Sequence, residues 1–81
     1  MIGNNAFGQT HDWNRVIYAI AKVESNFNES ARNGSHVGYL QIAPILVQDC
    51  NRILKSRGSK VTYTLKDRYS KEKSIEMFCL V

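Results

Sequence analysis

Between Asn26 and Val37 the chain reads NFNESARNGSHV. No other feature limits the fold as much. Asn, Ser and Gly compete with the backbone for hydrogen bonds or visit conformations a helix does not use, so this stretch must be a loop. It divides two apolar patterns with helical spacing. Upstream, Trp13, Val16, Ile17, Ile20 and Val23 define one face of a first helix that runs to about residue 25, capped by Thr10 or Asp12. Downstream, Pro44 suits the first turn of a second helix, where its missing N–H would have no partner anyway. Leu46, Val47, Cys50, Ile53 and Leu54 form its inner face. Lys55 and Arg57 complement its C-terminal dipole, and Gly58 closes it.

The remaining elements are shorter. Gly38-Tyr39-Leu40-Gln41-Ile42 reads as a short strand or an irregular turn. Lys60 to Leu65, KVTYTL, reads as an extended piece or hairpin arm. Ser70 caps a third helix with Ile75, Phe78 and Cys79 on one face. Phe27 and Ala31 are the expected anchors of the loop. Residues 1–10 are polar and glycine-containing, and are read as a flexible arm ahead of one domain over 11–81. The expected class is mainly α, with a short extended segment or hairpin.

With 81 residues, the chain has room for one small core, burying about 60% of the surface it would expose unfolded. Hydrophobic residues at 43% and charged residues at 22% exclude wholesale disorder. No apolar run is long enough to span a membrane. The N-terminus has no basic head and no apolar run, so it does not read as a signal peptide. The net charge of +4 favours an anionic partner: nucleic acid, a membrane surface or a cell-wall polymer. Cys50 and Cys79 are too few for a disulfide framework and too far apart for a metal knuckle. Both are expected to be buried and slow to react with thiol reagents, with a single disulfide as the alternative. His11 and His36 have no ligand pattern around them and read as surface or turn histidines. The last residues, IEMFCLV, are apolar and carry no stop signal. The sequence is therefore expected to be the front portion of a longer domain, its apolar end leaving a sticky patch that favours self-association or low stability.

One residue of the first helix is out of place. At roughly 100° per residue from Trp13, Ile17 falls near +40°, Ile20 near −20° and Glu24 near +20°. Glu24 therefore lies in the apolar stripe at the helix C-terminus. Desolvation and the helix dipole would both raise its pKa there, as a general acid requires. The alternative is a glutamate one turn past the core that swings into solvent.

The residues that follow carry a resemblance. Glu24-Ser25-Asn26-Phe27, then Ala31, then Gly38-Tyr39-Leu40-Gln41-Ile42 and Pro44, resemble the lytic transglycosylases of the lysozyme-like superfamily, the soluble-transglycosylase type. That family carries Glu-Ser, an aromatic two residues after the serine, an alanine, then Gly-Leu-Met-Gln with an apolar residue and a nearby proline. Tyr39 and Leu40 stand where the family has Leu and Met. A later family motif, an aromatic followed by Asn-x-Gly, has no match in residues 60–81.

The resemblance implies a lysozyme-like helical domain, present here in part, that cleaves peptidoglycan between MurNAc and GlcNAc. It implies Glu24 as sole acid/base and Ser25, Gly38, Tyr39 and Gln41 along the sugar cleft. Tyr39 would offer a stacking face or else a core aromatic. The 6-hydroxyl of the sugar would act as nucleophile, leaving 1,6-anhydro-muramyl ends with no metal or cofactor. Asp49 or Glu29 would be the second carboxylate if the chemistry were hydrolytic. Peptidoglycan strands would be the partner. The setting would be extracytoplasmic, in periplasm or wall, or that of a phage or mobile element. Two other readings remain: a non-catalytic glycan-binding module, and a small basic nucleic-acid-binding domain that rests on charge and helix content alone.

Overall fold

The computed structural model describes residues 13–81. The expected arm and the Thr10 or Asp12 cap lie outside the described residues. Three helices carry the fold: α1 (Trp13–Ser25), α2 (Pro44–Ser56) and α3 (Lys71–Leu80). Two short strands, β1 (Arg32–Asn33) and β2 (His36–Val37), pair antiparallel between α1 and α2. A 3₁₀ turn, Leu65–Tyr69, precedes α3. The mainly helical class with a small hairpin holds.

The core joins Ile17 and Ala21 of α1, Tyr39, Leu40 and Ile42 of the linking turn, Val47 and Cys50 of α2, Tyr63, and Met77 of α3. Burying such side chains supplies about 1.5–3 kcal/mol each before entropy is charged against it. α1 turns a different edge inward than expected. Val23 is 83% exposed, while Ile17 and Ala21 are buried. The reason is angular: Ala21 sits roughly 80° from Trp13 on the side of Ile17, and Val23 roughly 80° on the other.

α2 begins at Pro44 and ends as the sequence indicates. Gly58 has φ +75°, its N–H bonds Lys55 O at 3.0 Å, and Ser59 N–H bonds Leu54 O at 3.0 Å. This pair of bonds is a Schellman ending, and it needs a residue that tolerates the left-handed region.

The stretch read as a loop contains the β1–β2 hairpin. Its tip places Gly34 at φ +63° at the first central position, as a type II′ turn requires. Residues 38–42 take the irregular-turn alternative, with Gly38 at φ +89° and Gln41 at φ +54°.

Among the described residues KVTYTL pairs with no strand, and its Leu65 already opens the 3₁₀ turn. Instead the Asn51 amide pairs with the Tyr63 backbone, with Tyr63 N–H to Oδ1 at 2.8 Å and Nδ2 to Tyr63 O at 2.9 Å. One side chain thus does what a neighbouring strand would do. The 3₁₀ turn that follows is fixed by a capping box: Thr64 N–H bonds Asp67 Oδ2 at 2.8 Å, and the Thr64 side chain answers at the Asp67 backbone.

α3 starts at Ser70 as expected, its Oγ accepting from Lys73 N–H at 3.2 Å. Its buried face is centred on Ser74 and Met77, with Ile75 and Phe78 alongside. Cys79 is exposed, contrary to expectation, because it sits roughly 140° from Ser74 around the helix. Ser74 is fully buried, and its hydroxyl is satisfied inside by Arg68 O at 3.0 Å. Both cysteines are free. Cys50 is buried, and that burial, reinforced by the charge of Asp49, pushes its thiol pKa up.

Candidate active site

The helix end, the hairpin and the linking turn meet around a cavity of about 400 Å³. α1 contributes Ile20 and Glu24, β2 contributes His36, and the turn contributes Leu40, Gln41, Ile42 and Ala43. Leu46 of α2 and Phe78 of α3 complete the described lining. Ile20 and Glu24 are four residues apart, so they face the same side of α1. Glu24 therefore lines the cavity on the face of α1 that carries Ile20. Its expected burial is not met, because the last turn of α1 overhangs the core and leaves Glu24 exposed. The desolvation expected from the stripe is accordingly not provided by the described residues.

Glu24 is the one carboxylate among the described residues lining this cavity. Other carboxylates are engaged elsewhere. Glu29 Oε1 accepts from Lys71 N–H at 2.8 Å, which caps α3. Asp49 pairs with Arg52 at 2.9 Å on the outer surface of α2. Asp67 closes the capping box, and Glu76 accepts the Tyr63 hydroxyl at 2.9 Å. Glu29 and Asp49, the two candidates for a second hydrolytic carboxylate, both lie outside the described lining.

Gln41 is the best-defined polar group of the cavity. It is 8% exposed and holds a left-handed backbone that a residue with a Cβ adopts only under constraint. Its Nε2 donates to Ala31 O at 3.1 Å and to Gly38 O at 3.0 Å. Two carbonyl partners fix which end of the amide is nitrogen, and they use both its hydrogens. What remains for a ligand is the acceptor Oε1.

Gly38 serves this turn in another way. A Cβ there would overlap the carbonyl oxygen of Arg68, and the φ of +89° already disfavours one. The close approach at Gly38 is to the Arg68 backbone. Arg68 itself is buried. Its Nη1 donates to Ser35 O at 2.8 Å and Ile42 O at 3.1 Å, and its Nε donates to Leu65 O at 2.9 Å. One guanidinium thereby holds the hairpin tip, the turn and the 3₁₀ segment together.

Ser25 and Tyr39 lie behind the site. The Ser25 hydroxyl is 2.7 Å from Tyr39 O and 3.2 Å from Ala21 O, so it ties the end of α1 to the turn. The Tyr39 ring is 7% exposed, with Phe27 at 6.3 Å and Lys71 Nζ at 5.4 Å over it. It is the core aromatic of the two alternatives, not an open stacking face. Phe27 does anchor the loop, packing also on Tyr18 at 4.8 Å. His36 is exposed, as its reading as a surface histidine expects, and it lines the same cavity as Glu24. Only the Gly34-Ser35 turn signal could have pointed to its placement.

A helix-terminal glutamate faces a Gly-x-x-Gln turn across an open, largely apolar cavity. The family model of the transglycosylase SLT domain matches residues 2–77. The chain belongs to the transglycosylase SLT family. The match starts inside the stretch read as an arm and runs through Met77 of α3. The search of curated proteins and the search of solved structures each returned no match. No described helix of this SLT domain is long and apolar enough to cross a membrane.

Proposed function

We propose that this SLT domain is a peptidoglycan lytic transglycosylase that breaks the β-1,4 bond between MurNAc and GlcNAc with Glu24 as its single acid/base. The observation that carries the reading is that Glu24 is the one carboxylate among the described residues of the cavity. Paired-carboxylate hydrolysis needs a second acid across the bond. Glu29 and Asp49 are each committed to another partner. With one carboxylate, the nucleophile comes from the substrate.

In this mechanism protonated Glu24 gives its proton to the glycosidic oxygen as the C1–O4 bond breaks. The GlcNAc leaves as an alcohol. Glu24, now a carboxylate, takes the proton of the muramyl 6-hydroxyl as that oxygen bonds to C1. The product is a 1,6-anhydro ring, no water is consumed, and Glu24 returns to its starting state. Gln41 Oε1 accepts a hydrogen bond from the saccharide. Gly38 and Ser25 hold the turn that carries Gln41, and Tyr39 is its apolar footing. This assigns Glu24 to catalysis and Gln41 to direct substrate contact, with Ser25, Gly38 and Tyr39 behind it. The domain spans 11–81, and its setting is the wall side of the envelope or a phage or mobile element.

The test is release of muropeptides from purified sacculi, analysed by mass. Products lacking one water relative to hydrolysed ends are expected. Ordinary reducing ends would instead require a second carboxylate and refute the single-carboxylate scheme.

A further inference from the structure

Among the described residues, the polar side chains lining the cavity are Glu24, His36 and Gln41. Their donors and acceptors are unequal. Gln41 spends both N–H groups on Ala31 O and Gly38 O and offers an acceptor only. Ionised Glu24 also only accepts, and its one proton when neutral is the one consumed by the reaction. His36 carries an N–H in either protonation state, which makes it the standing side-chain donor of the described lining. Its backbone is well fixed. His36 pairs with Asn33 across the hairpin, Ser35 O is held by Arg68 at 2.8 Å, and Val37 bonds Ile42 in both directions at 3.3 and 3.0 Å.

Resting on the transglycosylase reading, we propose that His36 is a substrate-binding residue whose imidazole N–H donates to the N-acetyl carbonyl of the glycan. Both sugars of the repeat carry this acetamide. Its carbonyl only accepts, and its methyl suits the apolar lining from Ile20, Leu40, Ile42 and Leu46. A stem-peptide carboxylate is a charged acceptor in the substrate. It fits less well, since it would bring a second negative charge beside Glu24.

The test uses the full chain carrying Glu24→Gln, so that ligand is not turned over, and measures binding of the uncharged N-acetylglucosamine tetramer by titration calorimetry. Adding His36→Phe, which keeps a ring but removes the donor, should weaken binding roughly three- to tenfold. His36→Gln, which restores a donor, should bring affinity back to within about twofold. The de-N-acetylated tetramer should bind both His36 variants equally. Equal affinity of His36→Phe and parent would overturn the proposal. So would a loss seen only with stem-bearing muropeptides, since the stem carboxylate would then be the ligand. If the Glu24→Gln parent binds no glycan of either kind, the transglycosylase reading falls, and this inference with it.

Discussion

The two walls of the cavity are built on different principles. One wall, residues 36–43, is held by hydrogen bonds to neutral carbonyls, with the Arg68 guanidinium and the Gln41 amide as the donors. The other wall is helical. Ile20 and Glu24 on α1 and Phe78 on α3 rest on apolar packing around Ala21, Cys50 and Met77, all fully buried. Hydrogen bonds fix direction, while apolar packing fixes only proximity. The arrangement therefore sets a wall fixed in direction opposite a glutamate at a helix end, which the Ser25 hydroxyl ties to Tyr39 O at 2.7 Å.

The strongest way to break this contrast is Gly38→Ala. The new methyl meets the Arg68 carbonyl oxygen and also enforces an L residue at φ +89°. Together these should cost about 3 kcal/mol. A domain of this length has only about 4–12 kcal/mol in total. A large fall in melting temperature is expected, and an unchanged one would show that the wall is not rigid at Gly38.

Arg68→Met should cost somewhat less, about 2–3 kcal/mol, by leaving the Ser35, Ile42 and Leu65 carbonyls without their donor. Hydrogen exchange should quicken at Val37 and Ile42 while α2 stays protected. Equal loss of protection in both places would erase the distinction between the walls.

The smallest effect separates the walls by pH. Burial comes first, and the hydrogen bond to Glu76 second, in pushing the Tyr63 hydroxyl up to about 12 from its usual 10. A raised acid of this kind favours the neutral form in the fold. Its contribution is complete below pH 10 and is lost as pH rises from 10 to 12. Tyr63→Phe should cost about 1 kcal/mol at neutral pH and flatten that alkaline decline. The hydrogen-bonded wall, built on neutral carbonyls and an arginine, should show no matching change at Val37 and Ile42. Loss of protection there between pH 10 and 12 in the Phe variant would contradict this.

The sequence made the helical side legible where punctuation is strong. Pro44, Gly58 and Ser70 mark boundaries that the structure keeps. The same reading misplaced Val23 and Cys79, because a helical stripe gives a face but not which edge of it meets the partner. Ser74 hid the centre of the α3 face, since its buried hydroxyl is satisfied by an Arg68 carbonyl distant in neither chain nor space but invisible to periodicity. The other wall was legible as a motif and illegible as geometry. Gly38 and Gln41 stood out by resemblance. That Gln41 would have one free acceptor and that His36 would join Glu24 depend on how the hairpin folds back over the turn, while Tyr39 is covered from elsewhere, by Phe27 and Lys71.

The central claim is that Glu24 alone carries the acid and base steps. It is tested most directly by Glu24→Gln, assayed for muropeptide release from purified sacculi beside the unchanged protein. The substitution preserves size and hydrogen bonding but cannot give up a proton to the leaving oxygen. The account predicts release of anhydro-muropeptides by the unchanged protein and none from the variant, at least about a thousandfold slower, with folding and sacculus binding retained. Turnover by Glu24→Gln at the rate of the unchanged protein would contradict it.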